Sequence, residues 1–464
     1  MHGLGTFRRI AGEEVCYGLM LAPVSRDSLC ILPWIHLEVV PEGNAKICCV
    51  AKEAVRDKGP PMNVASSSLE EIRASKYLRS VRTALADGRK IPVCGHCWEQ
   101  EKRGERSQRQ FWNGLFPGAM STLQARLEGA SHPADPMPME YLQISVGNKC
   151  NLACRMCNAS YSSRIAEDPV HSKWAPAMDR ESTIWGAAGE ARRGLVAQEG
   201  PRRRPDWVDG KPWFEQPAFV EKDMMGAGST LKMLYVTGGE PFFVPAFDRI
   251  LDDYVARGLA KDMVISLNTN LFHNERRIAR AMESLLRFKF CHLAPSIDGH
   301  GAVYEYVRYP AKWDIVEMNI RFVADLCRQR SNAYVMLTTV AQAYNCFNLP
   351  ELLSFADELS LECNPHVLDG PAHLQPHVLP RELRLQAAER LTAYAATPAD
   401  PGPRTANRAH AARIARYLEG CEETADLAGS RRRFVAFTRD LDAARGQSLE
   451  RSVPELREML TLFA

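Results

Sequence analysis

The chain reads as an α/β protein: a parallel sheet with helices packed outside it, preceded by a small cysteine-rich α+β unit and followed by a helical extension. Three observations predict this. From about residue 139, short runs rich in β-branched and aromatic residues alternate with amphipathic stretches of helical period. Five cysteines, Cys30, Cys48, Cys49, Cys94 and Cys97, crowd the first hundred residues. Beyond Leu379 the pattern is helical, with a break near Thr397 to Arg404.

At 464 residues the chain exceeds what one core usually organises. The composition divides it into a cysteine-rich unit over 1–128, a proline-rich linker over 129–138, a strand-helix body over 139–378 and a helical extension over 379–464. In the first unit, residues 29–50 suggest two short strands joined by a turn at Pro41 to Asn44, which would bring Cys30 towards Cys48. A helix is expected from Ser68 to Ala86, where Leu69, Ile72, Leu78, Val81 and Leu85 recur after a serine cap.

In the body, strands are expected at Tyr141–Val146, Met233–Thr237, Val264–Asn268, His292–Ile297, Tyr334–Val340 and Cys363–Leu368. Helices at Phe247–Ala256, Glu275–Phe288 and Asp314–Arg328 separate several of them. An insertion of about 168–229 follows the first strand. Its segment from Arg192 to Pro205 holds five arginines with glycine and proline and is expected to be mobile or ordered by a partner, such as an acidic peptide.

The chain is 45% hydrophobic and 25% charged, with a formal net charge of +2, so nothing in the balance calls for nucleic acid. Residues 1–9 lack the apolar core of a signal peptide, and no apolar run is long enough to span a bilayer. The expectation is a cytoplasmic protein without a membrane partner. In a reducing compartment, clustered cysteines among the 14 point to metal or redox chemistry. Cys16, Cys291, Cys327, Cys346, Cys363 and Cys421 are scattered among apolar neighbours and read as small buried hydrophobes.

The sharpest signal is Ser145-Val-Gly-Asn-Lys-Cys150-Asn-Leu-Ala-Cys154-Arg-Met-Cys157. Three thiolates on one loop directly after a strand can wrap a single centre, and soft thiolates select zinc, copper(I) or iron–sulfur clusters. Structural zinc and electron-transfer clusters take four protein ligands, so a trio either leaves a metal open to a reactant or is completed by a distant cysteine.

This loop resembles the C-x3-C-x2-C signature of the radical S-adenosylmethionine enzymes. The resemblance implies a partial (β/α)6 TIM-like barrel in which Cys150, Cys154 and Cys157 hold a [4Fe–4S] cluster and the fourth iron binds the methionine moiety of S-adenosylmethionine. One electron then releases a 5′-deoxyadenosyl radical that takes hydrogen from a substrate. The residue before the third cysteine is usually aromatic in the family and is Met156 here.

Further matches follow in the family's order. Thr237-Gly238-Gly239-Glu240-Pro241 ends the second expected strand, where glycines let a ligand approach the backbone, and the resemblance implies contact with the methionine amino group. Leu267-Asn268-Thr269-Asn270 and Ser296-Ile297-Asp298-Gly299 close the next two strands, at the end where barrel enzymes build their sites. By resemblance, Ser296 and Asp298 lie near the ribose, Asn268 and Asn270 line the pocket, and Arg308 pairs with the methionine carboxylate. Each also fits a turn residue or a surface cation.

Cys30, Cys48, Cys94 and Cys97 resemble the ligands of a twitch or SPASM domain, implying an auxiliary [4Fe–4S] cluster with no open iron; Cys49 could replace Cys48, since strand neighbours point to opposite faces. A structural zinc is the alternative there. Such domains more often follow the barrel, whereas these cysteines precede it. The resemblance extends to Asp440-Leu-Asp-Ala-Ala-Arg445.

The expected activity is radical modification of a substrate, a peptide or otherwise a small molecule, with an electron donor such as flavodoxin or ferredoxin. Two other classes compete. A non-enzymatic zinc-binding interaction protein would use the same cysteines, and a nucleic-acid methylthio- or methyltransferase would need a basic domain or an RNA-binding module, neither of which is seen. Cys291, Cys327, Cys346 and Cys363 are candidate hydrogen donors by residue type alone.

Overall fold

The computed structural model describes residues 28–463 except 52, 103, 105, 130–132, 175–211, 228–229 and 422–425. Cys16 and the arginine-rich stretch 192–205 lie outside the described residues. Eight strands form one sheet: β1 (His36–Val39), β2 (Ala45–Lys46), β3 (Tyr141–Ser145), β4 (Met233–Thr237), β5 (Val264–Thr269), β6 (Phe290–Pro295), β7 (Ala333–Ala341) and β8 (Glu362–Val367). Their order is β2-β1-β3-β4-β5-β6-β7-β8. From β3 to β8 the strands run parallel and in sequence order.

This is an α/β fold with a six-stranded parallel half-barrel. Residues facing the interior on β3 to β7 surround one cavity, so the sheet is curved rather than flat. The helices between these strands are amphipathic and pack outside. In Pro245–Ala256, between β4 and β5, Phe247, Ile250, Leu251 and Tyr254 are buried. In Glu275–Leu285 the buried set is Ile278, Ala281, Met282, Ser284 and Leu285, and Asn274 caps the helix by accepting from the Arg277 amide. Trp313–Arg328 and Leu349–Glu358 complete the outer layer.

The expected hairpin forms, with Glu38 opposite Lys46 and Val39 opposite Ala45. Its first strand is shorter than expected because Pro33 initiates a helical turn at Leu32–Ile35. The hairpin does not stay within its own unit. β1 pairs in parallel with β3, placing His36 beside Tyr141 and Glu38 beside Gln143. The cysteine-rich unit thus continues the barrel's own sheet.

The stretch expected as a linker is built in. Arg82 donates through Nε to the Ala134 carbonyl and through Nη1 to that of Pro33 at 3.1 Å. The Met137 amide bonds the Trp34 carbonyl at 3.0 Å, and Ala134 is fully buried. The helix expected over Ser68–Ala86 is two helices, Leu69–Arg73 and Lys76–Ala86. Ser68 forms a capping box with Glu71, and Ser75 starts the second helix by accepting from the Leu78 amide.

After β8 the chain forms the helices Arg381–Ala395, Pro403–Glu419 and Leu427–Arg445. Asn407 ties the second of these to β8, accepting from the Cys363 amide at 2.8 Å and donating to the Leu361 carbonyl. Among the described residues no helix is long and apolar enough to cross a membrane.

Candidate active site

Alternation along the parallel strands creates the site. Leu142 and Ile144, Leu234 and Val236, Ile265 and Leu267, and Cys291 and Leu293 are buried at positions alternating with the polar residues between them. Gln143 and Ser145, Tyr235 and Thr237, Ser266 and Asn268, and His292 line a cavity of about 500 Å³. Parallel strands buried on both faces are normally apolar throughout, so these interior polar positions mark a binding space.

The cysteine loop closes one side of the cavity, and Cys150, Cys154 and Cys157 all line it, half-buried. Local bonds shape the loop. The Cys150 amide donates to Ser163 Oγ at 3.3 Å, the Leu152 amide meets Cys150 Sγ at 3.4 Å, and the Cys157 amide bonds the Cys154 carbonyl at 3.0 Å. The Ala153 and Arg155 amides bond the carbonyls of Tyr309 and Val307 at 2.7 and 2.9 Å, tying the loop to the chain beyond β6. Burial raises all three thiols above their ordinary range, Cys157 to about 12. A metal centre must therefore displace their protons.

The Gly238-Gly239-Glu240 segment lies against this loop. The Gly239 and Glu240 amides bond the carbonyls of Gly147 and Lys149, both at 2.9 Å. A Cβ on Gly239 would sit 2.3 Å from the Lys149 oxygen, and Gly238 has φ +128°. The close approach that demands these glycines is thus made by the protein's own backbone. Glu240 is buried and bridges β4 to β5: its carboxylate accepts from Thr269 Oγ1 at 2.7 Å, the Asn270 amide at 2.6 Å and the Phe242 amide at 3.1 Å.

Asn268, Asn270, Ser296 and Arg308 line the same cavity. Asn270 reaches the loop through Asn151, at 2.8 Å, and Asn268 accepts from the Tyr235 hydroxyl. Asp298 lies off the cavity wall and is fully buried. It holds Arg308, whose Nε and Nη2 donate to Asp298 Oδ2 at 2.8 and 2.7 Å, while its Oδ1 accepts from the Val340 amide at 2.7 Å. Desolvation opposes the Arg308 charge, but Asp298 and Cys154 outweigh it and raise the guanidinium's pKa.

The cysteine-rich unit also lines the cavity, through Cys49, Val50, His96, Gln108 and Trp112. Burial, with the charges of Cys49, Cys94, Cys30 and Cys97, raises the Cys48 pKa well above the thiol range. Cys49, unlike Cys48, lines the cavity, and burial with the Glu38 charge pushes it to about 11. Arg109 is a shared cation beside Cys30, Cys94 and Cys97, and the amides of Gln108 and Arg109 donate to Cys97. Arg109 is itself gripped by Glu101, at 3.0 Å from each oxygen. Among the described residues, no group of three or more His, Cys, Asp or Glu side chains is arranged to hold a single metal ion.

Residues 30–98 match the family model of SPASM, an iron–sulfur cluster-binding domain. That segment, and not the chain as a whole, is what the match covers. The match agrees with the twitch or SPASM resemblance read from the cysteines of the N-terminal unit. No curated protein matches. Among solved structures, the chain is similar to Streptococcus suis SuiB bound to precursor peptide SuiA, at 12% identity and a TM-score of 0.32, over 80% of this chain and 67% of that one. SuiB bound to S-adenosylmethionine matches at 11% and 0.32, over 87% and 70%. At these scores the superposition is too loose to assign fold or function.

Several lining residues escape motif reading: Ser145 and Thr237, whose hydroxyls meet at 2.7 Å, and the row Glu38, Gln143, Tyr235, Ser266 and His292. The row is in register across five strands. Gln143 Nε2 donates to Glu38 Oε1 at 3.1 Å, and Ser266 Oγ lies 2.9 Å from His292 Nδ1. Its signal was the polar residue at every second position of an otherwise apolar strand. Cys291, Cys327, Cys346 and Cys363 are buried and none lines the cavity.

Proposed function

We propose that this protein is a radical S-adenosylmethionine enzyme whose cavity holds cofactor and substrate between two iron–sulfur clusters. The observation that carries the reading is that one cavity is lined both by Cys150, Cys154 and Cys157 and by Cys49, Val50 and His96 of the SPASM-matching segment. Three soft thiols beside open space suit a cluster with one iron left for a reactant, and the four thiols of Cys30, Cys48, Cys94 and Cys97, which act on one another electrostatically, suit a closed one. Cys150, Cys154 and Cys157 would hold the first cluster, and Cys30, Cys48, Cys94 and Cys97 the second. Cys49 is spared because it faces the cavity. The bound cluster and S-adenosylmethionine supply reductive cleavage to a carbon radical that takes hydrogen from the substrate.

The chain's own residues provide the setting. Gly238, Gly239 and Glu240 lock the β4 end against the loop, and Asn270 through Asn151 fixes its far side. Asn268, Ser296 and Arg308 offer polar groups to the nucleotide, with Asp298 setting the Arg308 fork. The row from Glu38 to His292 gives the substrate side of the cavity hydrogen-bonding partners, which suits a polar substrate. A peptide is the substrate class we assign, with a small polar metabolite as the alternative and a flavodoxin or ferredoxin as electron source.

The test is anaerobic incubation of the purified protein with S-adenosylmethionine and a chemical reductant. The reading predicts release of 5′-deoxyadenosine, abolished when Cys150, Cys154 and Cys157 are changed to alanine. Equal product from wild type and variant, or none from an iron-replete wild type, would reject it. Arms with and without a candidate peptide substrate would separate peptide from metabolite by mass change of the peptide.

A further inference from the structure

Arg155 sits inside the loop, between Cys154 and Cys157, and is completely buried. Its guanidinium stacks 3.7 Å over the Tyr306 ring, donates through Nε to the Tyr306 carbonyl at 3.0 Å and through Nη2 to Gln447 Oε1 at 3.0 Å and to Asp442 Oδ1. Asp442 lies in the last turn of the helix Leu427–Arg445, and its other oxygen accepts from the Leu449 amide at 2.8 Å.

Three residues on, and so on the same helix face, Arg445 is also buried beneath the loop. Its Nη2 reaches Asp168 Oδ2 at 3.3 Å and His171 Nδ1 at 3.0 Å, and its charge is one of two guanidinium charges acting on Cys154, the other being that of Arg308. Asp168 in turn accepts from the Val170 and His171 amides, both at 2.9 Å, just beyond the short helix Ser163–Glu167 that follows the loop. One helical turn therefore grips the loop from within, through Arg155, and the segment after it, through Asp168 and His171.

We propose that Asp442 and Arg445 are positioning residues for the catalytic cluster: the C-terminal helix fixes the loop so that Cys154 and Cys157 hold the cluster in one geometry and one electrostatic setting. This rests on the reading of the loop as a cluster site. Residues that orient first ligands typically change metal affinity about 10–100-fold when removed. None of the grip touches the cofactor space directly, so its effect passes through the loop.

The experiment compares wild type, Asp442→Ala, Asp442→Asn, Arg445→Ala and the Cys150/Cys154/Cys157 triple-alanine variant, all full-length and anaerobically purified. Loop iron is wild-type iron minus that of the triple variant, which retains the SPASM cluster. Asp442→Ala and Arg445→Ala are expected to lose loop iron to a ferrous chelator at a concentration about tenfold or more lower than wild type, while keeping SPASM iron and native far-ultraviolet circular dichroism. Asp442→Asn, which keeps an acceptor without the charge, is expected to keep loop iron but shift the electron paramagnetic resonance spectrum of the reduced cluster. Loss of both clusters together, or an unchanged spectrum and chelator resistance in all three variants, would overturn the positioning role. No loop iron in wild type would instead overturn the cluster reading itself.

Discussion

Gly239 shows how one missing methyl group supports the site. Its Cα approaches the Lys149 carbonyl so closely that any side chain must push the β4 end away from the cysteine loop. Gly239→Ala is expected to cost about 1–3 kcal/mol in urea unfolding, and to lower loop iron as well. A fully stable, iron-replete variant would show that the strand end and loop move independently. Burial acts on titration in the same way. Desolvation lowers His36 and His171 to about 3 and His292 to about 4, so all three are neutral in the fold at neutral pH. Below about pH 6.5 the unfolded chain binds protons that the native state refuses until about pH 3–4. Stability is therefore expected to fall as pH drops from about 6.5 to about 4, and removing one site with His292→Gln should flatten part of that slope in denaturant titrations. A steeper slope in the variant would contradict the assignment.

Each element owes its place to a few local instructions, and the instructions differ in how visible they are. All six barrel strands were legible because alternating runs bounded by turn residues encode them locally. The break at Ser75 was not. Apolar spacing continues through it, while the serine's bond to the Leu78 amide and the Asp57 carboxylate's bond to the Tyr77 amide start the second helix. Ser75→Ala is expected to destabilise the protein by about 0.5–2 kcal/mol, measured by chemical unfolding; an unchanged midpoint would mean the cap is dispensable. The cysteine trio and the strand-end motifs were readable because their spacing is local. What could not be read was their wiring: Glu240 bridges strands rather than projecting freely, and Asp298 serves Arg308. These bonds join residues brought together only by the sheet's register. The choice between Cys48 and Cys49 stayed open for the same reason, because facing is a tertiary property.

At the scale of the molecule, the sequence suggested a cysteine-rich unit, a linker and a barrel. The structure instead makes the first and last share a sheet, since β1 pairs along β3. A proline-rich stretch has the composition of a linker whether or not arginines such as Arg82 bond its carbonyls. It follows that a fragment beginning at about residue 133 would expose β3 as a hydrophobic edge strand. Such a fragment is expected to aggregate on expression, and a soluble, monomeric, cooperatively folding barrel would contradict the shared-sheet account. The same continuity places the SPASM face and the cysteine trio on one cavity, and on that cavity the proposed chemistry depends. Its most direct test is electron paramagnetic resonance of the anaerobically reduced protein lacking the proposed auxiliary-cluster ligands Cys30, Cys48, Cys94 and Cys97, with and without S-adenosylmethionine. The account predicts a reduced [4Fe–4S] signal whose g-values shift when the nucleotide is added. A signal indifferent to the nucleotide, from protein shown to be folded and iron-loaded, would contradict an open iron at Cys150, Cys154 and Cys157.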